Sequence, residues 1–415
     1  MIDITKKEIL ENLTTYRFAV LTGLLALLVL ISVIVSYGDY HLRMENYSIL
    51  RPSADDPEKI ILPPQPLSIF ARGLDANTGR LYQLSALGVE VQSSQQSINR
   101  LFALFTVPDM LFIIRVMLAL IAVLFSFDAV CGEKEQGTLK LMLAGHTRRS
   151  TIILGKLAGR YALVCVPFAF LFLAAATGVS LMGDVTAGFD YWARVAALLC
   201  AAALYIGAFL GVGTLISALV HRSPTSLTLG LGAWALLVFV VPDLGTSAAR
   251  ALSDVPPADR VEMENRLTAV RSIYEAIQAA KGGSRDMSRI MFQIREGNSQ
   301  VFETYRPRLN RMIALSQALV RVSPSGALVF FVTEASNTGL SADLHLKDEI
   351  WAYIDRNFRR LAHLDTAPPE HFTLRTPALA EQLAGPALPD LIVLVAFPFV
   401  LAASALGAFM RYDPR

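Results

Sequence analysis

The chain has 415 residues, 53% of them apolar before its 26 glycines are counted, and only 17% charged. An ordinary soluble domain has about 45–50% apolar residues with glycine included and about 25% charged ones, so a soluble globular protein, a disordered chain, a collagen and a disulfide scaffold are all excluded. The formal net charge of +2 gives no electrostatic reason to expect nucleic acid or a strongly acidic partner.

Roughly 20 apolar residues cross a bilayer as a helix, and six stretches qualify: 18–37, 107–127, 161–182, 195–220, 227–244 and 388–410. Lys6 and Lys7 precede the first. Its apolar core is too long for a signal peptide and no small-residue cleavage site follows before Asp39, so it reads as a retained helix. With the N-terminus inside, segments 1–17, 128–160, 221–226 and 411–415 carry twelve Lys/Arg, against Arg194 alone in the short outer loop 183–194. That asymmetry predicts six crossings with both ends inside.

Two large segments then lie outside. The first, 38–106, is Pro-rich at Pro52, Pro57, Pro63, Pro64 and Pro66 and turn-rich at Gly73, Asn77 and Gly79. It reads as extended structure with short strands, running into a helix near 92–105. The second, 245–387, reads as mainly helical. Met263, Leu267, Val270, Tyr274 and Ile277 recur at helical spacing, Gly282-Gly283 interrupts, and Met287, Met291, Ile294, Val301 and Tyr305 resume the seam. The pattern predicts a two-helix hairpin packed on itself. Its Lys/Arg nearly cancel its Asp/Glu, so no ligand is signalled by charge.

The inner loop after the second crossing is the most specific segment. It reads Glu133-Lys134-Glu135-Gln136-Gly137-Thr138-Leu139-Lys140-Leu141-Met142-Leu143-Ala144-Gly145. Thr138 suits a helix N-cap, 139–144 a short apolar helix, and Gly145 its end. Six residues do not hold a helix in water. Part of it must pack on the chain's own helices, leaving part for another surface. Glu133 and Glu135 place carboxylates where basic side chains of a partner could meet them.

Arg115 falls inside the second crossing. Its side chain either lines a cavity or pairs across a dimer, or snorkels to the outer interface. Gly207, Gly211 and Gly213 in the fourth crossing predict close helix–helix contact within the subunit. Pro167 and Pro398 fall inside crossings and predict bends. The six histidines show no metal-ligand spacing, and Cys131, Cys165 and Cys200 lie in or beside apolar runs. No metal and no cofactor is expected in this chain, and no catalytic constellation stands out.

The Glu-x-Glu-x-Gly-Thr-Leu-x-Leu-x-Leu string at 133–143, followed by Arg148, Ile152 and Gly155-Lys156, resembles the permease subunits of ABC-2-type ATP-binding-cassette transporters. Lys6-Lys7-Glu8-Ile9-Leu10-Glu11 leading to Arg17-Phe18 is similar to that family's amphipathic elbow helix, and Ser217, Arg222-Ser223 and Trp234 also match. The layout resembles the permeases of gliding-motility and nitrous-oxide-reductase-maturation systems. The string Pro63-Pro64-Gln65-Pro66-Leu67-Ser68-Ile69-Phe70-Ala71-Arg72-Gly73-Leu74 looks like a related group with a large outer insertion.

The resemblance implies an all-α polytopic fold. It would have an elbow helix over 1–17, six crossings, a coupling helix in the 128–160 loop and two extracytoplasmic insertions. It implies that Glu133, Glu135, Gly137, Thr138, Leu139 and Leu141 couple to a separate cytoplasmic ATPase dimer, which would hold ATP and Mg²⁺. A second permease copy or paralogue would complete the path in a bacterial inner membrane. No Gly-x-x-x-x-Gly-Lys-[Ser/Thr] occurs in the chain, so ATP hydrolysis is expected elsewhere. The implied function is export driven by that ATPase. One alternative is mechanical action on a periplasmic or envelope partner without translocation. Another is a secondary transporter, which would need midplane acidic residues, whereas Asp128, Asp184, Asp243 and Asp390 fall at span ends.

Overall fold

The computed structural model describes residues 2–50, 59–75, 81–85, 88–92, 109–139, 148–253, 306–361 and 372–411, with isolated positions between 255 and 278. Six helical stretches are long and apolar enough to cross a membrane, and the chain is an all-α polytopic membrane protein with a small β component. A short helix α1 (Ile2–Leu13) precedes the first crossing, α2 (Tyr16–Leu50). The second crossing, α3 (110–126), leads into the short α4 (Cys131–Glu135). Then come α5 (Arg149–Leu181), α6 (Phe189–Leu219) and α7 (Ser223–Leu252), and the last crossing follows the insertions.

Helices outrun the apolar runs that announced them. The 35 residues of α2 extend about 52 Å at 1.5 Å per residue, against about 30 Å of hydrocarbon. Hydropathy marks only the part in lipid, whereas backbone hydrogen bonding continues through Asp39 and Arg43 beyond it. At the opposite face α5 begins well before 161 and carries Lys156 and Arg160 into the loop region.

The centre of the bundle is α3 and α6, whose apolar windows are 72% and 61% buried, against 17% for α2 and α7. Small residues permit this. A side chain at Gly207 or Gly211 would run into Pro398 and Leu401 of the last crossing, and one at Gly213 into Ser126 of α3. The expected close packing in the fourth crossing is therefore internal to the chain.

The first insertion contributes an antiparallel sheet in the order β1 (Lys59–Ile61), β2 (Leu81–Ser85), β3 (Gly88–Gln92), with Ile60 opposite Tyr82 and Gln83 opposite Glu90. The helix expected near 92–105 lies outside the described residues. The second insertion provides α8 (306–320), α9 (Pro324–Ala335), α10 (Leu340–Leu361) and α11 (Leu379–Ala384) before the last crossing, α12 (Leu388–Met410). Met263, Leu267, Val270 and Tyr274 are helical and more than half exposed. Burial of that seam in a hairpin is not seen among the described residues, and its second half, from Met287 to Tyr305, lies outside them.

The two insertions share one core. Ile60, Leu62 and Leu84 pack with Leu346, Ile350, Tyr353 and Ile354 of α10. The Pro-rich string closes over the bundle: Leu67, Ile69, Phe70 and Ala71 are buried, and the Phe70 ring lies 5.3 Å from that of Phe172. Gly73 adopts φ +47 directly beneath the Thr338 carbonyl, where no side chain fits.

Helix α9 was read as part of an outer insertion, yet Ala327, Leu328, Phe331, Val332 and Ala335 belong to the same core as the crossing helices. Twelve residues span about 18 Å, too little to register as a crossing. Only packing against α6 and α12 shows where it goes.

Candidate functional site

The chain leaves α3 at Phe127 and turns through Asp128, Ala129 and Val130 into α4. Gly137 then takes φ +71, a left-handed conformation natural to glycine. Thr138 and Leu139 open the next helical turn. Residues 140–147, and with them Leu141, lie outside the described residues. Leu139 is buried among Ala129, Val130, Ile153, Ala218, Ala405 and Phe409. Among the described residues, the Thr138 hydroxyl reaches the Glu133 carbonyl at 3.5 Å.

On one side the segment is fastened to the junction of α6 and α7. The backbone N–H groups of Val130 and Cys131 donate to Ser217 Oγ at 2.9 and 3.0 Å. Lys134 Nζ donates to the carbonyls of Ala218 and Val220 at 2.5 and 3.0 Å. Those are end-of-helix carbonyls without axial donors, which a lysine suits. Glu135 accepts from the backbone N–H and hydroxyl of Ser223, at 3.0 and 2.6 Å, placing a carboxylate at the positive end of α7. Ser226 Oγ donates to the Phe127 carbonyl at 2.6 Å.

On the other side lies an ion cluster. Glu133 Oε1 is 2.7 Å from Lys156 Nζ, which is 3.4 Å from Glu8 Oε2. Arg160 binds Glu8 through Nε at 2.6 Å, and through Nη1 it binds Asp128 and the Phe125 carbonyl, each at 2.6 Å. Arg17 reaches the second Asp128 oxygen at 3.5 Å and lies over the Phe127 ring. Three cations and three carboxylates thus join α1, α2, α3, the loop and α5. Glu8, Lys156 and Arg160 are each at most 6% exposed, a burial that charges tolerate only when paired. Burial is the largest influence on the Glu8 carboxyl and raises its pKa, but Arg160 and Lys156 together outweigh it. The net pKa is below the ordinary value.

The seat of α1 explains how Glu8 arrives there. Thr5 Oγ1 donates to the Gly155 carbonyl at 3.2 Å, and a methyl group on Gly159 would sit 2.9 Å from Glu8 Cβ. Gly159 thus lets α1 lie against the α5 backbone. Its polar side, Thr5, Glu8 and Asn12, faces the protein, while Ile2, Leu10 and Leu13 are exposed.

The structure therefore gathers Glu133, Glu135, Gly137, Thr138 and Leu139 into one segment, but both carboxylates already have partners in this chain. Among the described residues, the segment exposes Glu135, Gln136 and Gly137. Glu8, Arg17, Asp128, Lys156 and Arg160 complete the cluster, and the sequence reading did not bring them together. The detectable signal was the four-residue repeat of Gly155-Lys156 and Gly159-Arg160. Arg115 lies apart, in the opposite half of the bundle. It is engaged within the chain, donating from Nε to Ser325 Oγ at 2.9 Å and from Nη2 to the Val238 carbonyl at 2.7 Å.

A family model described as ABC-2 family transporter protein matches residues 2–413. A probable ABC transporter permease protein, NosY of Stutzerimonas stutzeri, is 32% identical over 139 residues. That alignment covers 33% of this chain and 50% of NosY, so the match spans about half of the relative's length.

Proposed function

Because the chain belongs to the ABC-2 family of transporter proteins, we propose that it is the membrane-spanning permease subunit of an ATP-binding-cassette exporter, driven by a separate ATPase. The single observation that carries this reading is the two-sided fastening of segment 127–139. A force applied at Gln136–Gly137 is passed on one side to the α6–α7 junction through Ser217, Lys134 and Glu135. On the other it reaches α1, α3 and α5 through Glu133, Lys156 and Arg160. Glu133 and Glu135 stiffen the loop, Gly137 lets a partner's backbone approach, and Leu139 anchors the following turn.

The face bearing this loop, α1 and Arg411 is the cytosolic one under this reading, in keeping with its Lys and Arg excess. The ATPase dimer supplies ATP and Mg²⁺, and a second permease copy or a paralogue completes the path through the inner membrane. Purification of the full-length chain from its native membrane should retain a polypeptide with a nucleotide-binding motif, identified by mass spectrometry. Gly137→Asp, which adds a charged side chain at an exposed tip, should release it while the chain stays folded. Finding no such polypeptide, or labelling Gln136→Cys only from outside the cell, overturns the reading.

The outer body favours a second reading, in which the subunit does mechanical work on an envelope protein and translocates nothing. The sheet, α10 and the Pro63–Leu74 string form one continuous structure with the bundle through Phe70, Arg43 and Thr338. Retention of an envelope protein by the purified complex, with an empty central path, selects this version.

A further inference from the structure

Of the six crossing helices, four carry an interruption. Ile113–Leu118 of α3 and Leu236–Val240 of α7 are π-helical, and Pro167 and Pro398 stand inside α5 and α12. Helices bend at such places, so a displacement applied at one end is taken up there before it reaches the other. Helices α2 and α6 have neither feature. At its loop end α2 holds Asp128 through Arg17, at 3.5 Å and with the arginine side chain 61% exposed, a pairing of little energy.

Helix α6 is gripped by buried groups at both ends. At the loop end, Ser217 Oγ accepts from the Val130 and Cys131 N–H groups, and Lys134 holds the Ala218 and Val220 carbonyls. At the other end, 23 positions earlier in the chain, Arg194 is 6% exposed. It donates from Nε to Asp190 at 2.6 Å and from Nη2 to the Pro377 carbonyl at 2.9 Å. From Nη1 it donates to the Ala335 carbonyl at 2.8 Å and to Gln382 Oε1 at 2.6 Å. Gln382 extends the contact, donating from Nε2 to Asn337 Oδ1 at 3.0 Å. One guanidinium thus joins the start of α6 to the end of α9, to α11 and to the segment before α11. Pro377 and Gln382 also wall a cavity of about 260 Å³, together with Glu334, His345, Arg375 and Glu381.

A buried guanidinium is tolerated only while its donors are met. Helix α6 therefore cannot shift at this end without either carrying its acceptors along or leaving a buried charge unmet. At the loop end the same constraint ties it to 130–135, because two backbone N–H groups depend on Ser217. We propose that α6 is the rod that couples the 130–135 loop to the far side of the molecule, with Arg194 as the positioning residue at its other end. A displacement of the loop then carries the Ala335–Asn337 turn and the 377–382 wall of the cavity with it. The inference goes beyond the exporter reading and stands without it, since both joints belong to this chain.

Hydrogen–deuterium exchange of the purified full-length chain in lipid nanodiscs tests it, because the joints lie about 35 Å apart at 1.5 Å per residue. Ser217→Ala should raise exchange in 130–135 about fivefold, the size of one lost hydrogen bond. It should also raise exchange in 335–337 and 377–384 by about twofold or more, the least that a residue in a coupling chain contributes. Arg194→Gln should do the converse, loosening 335–337 and 377–384 strongly and 130–135 by about twofold or more, because coupling between sites is reciprocal. A residue with a purely local structural role would loosen its own surroundings alone. Arg194→Lys, which keeps the charge but not the fork, should have a smaller effect at both ends. Exchange in 18–36 of α2, which shares neither joint, should not change. A response to Ser217→Ala confined to 130–135, or a response to Arg194→Gln confined to 335–337 and 377–384, overturns the proposal. Should Arg194→Gln fail to fold, Ser217→Ala and Arg194→Lys decide.

Discussion

Glu133 Oε1 lies 2.7 Å from Lys156 Nζ, which ties the loop after the second crossing directly to the start of the third. Lys156 also faces Glu8, at 3.4 Å, so one buried ammonium serves carboxylates from two elements. Lys156→Met should lower stability by about 3–5 kcal/mol, the usual result of stripping a buried charge of its partner. Glu133→Gln should cost less, because Glu133 is 20% exposed. Denaturant unfolding of the double variant should show a loss smaller than the sum, with an interaction of about 1–3 kcal/mol. Strict additivity would show that the contact carries no energy.

Gly137 and Gly73 both have positive φ but differ in surroundings. Nothing lies within 4 Å of a side chain added at Gly137, whereas one at Gly73 would meet the Thr338 backbone. Gly137→Ala should cost about 1 kcal/mol of backbone strain and change no packing. Gly73→Ala should add about 1–3 kcal/mol of overpacking to the same strain. It should also detach the Pro63–Leu74 string from Thr338, seen as faster proteolysis of the body formed by the sheet and α10.

Low pH should release α1. The folded-state pKa of Glu8 is lowered from the ordinary 4.5, so its stabilising contribution is complete above that value and disappears as pH falls through the lowered one. Exchange protection of Ile2–Leu13 should therefore hold through the neutral range and be lost only below pH 4.5. In Glu8→Gln protection should be weaker throughout and flat across that window. A wild-type loss of protection near neutrality would assign the anchoring to some other group.

Arg321 and Asp390 join the segment before α9 to the start of α12 by two bonds, of 2.6 and 3.1 Å. Asp390 is 1% exposed. Asp390→Ala leaves a guanidinium facing a buried hole and should cost about 3 kcal/mol or more. Asp390→Asn keeps one acceptor and should cost less. Arg321→Lys should resemble the alanine variant more than the wild type, since lysine cannot bind both oxygens at once. Thermal unfolding in detergent ranks the three.

Six apolar lengths, a Lys/Arg-rich loop face and a Pro-rich insertion with strands were legible because each is a local property of composition. Helix α9 was not: its apolar residues are too few to announce a crossing, and its burial depends on α6 and α12. Arg115 stood out as a charge in an apolar run, yet its partners Ser325 and Val238 are 210 and 123 residues away. The loop residues 133–139 were recognisable as a group. That Glu133 would meet Lys156 and Glu135 would meet Ser223 was not, because those partners lie 23 and 88 positions further along the chain.

Chain order alone determined that this protein crosses a membrane and roughly where, since moving a run of apolar residues into hydrocarbon is a sum of local transfer energies. Tertiary structure alone decided which charges lie inside. Glu8 and Arg160 are 152 positions apart, and each is held inside only by the partners it meets there, Lys156 and Arg160 for Glu8, and Glu8 and Asp128 for Arg160. Their burial is a property of the cluster, which exists only once α1 has come to rest on α5 at Gly159.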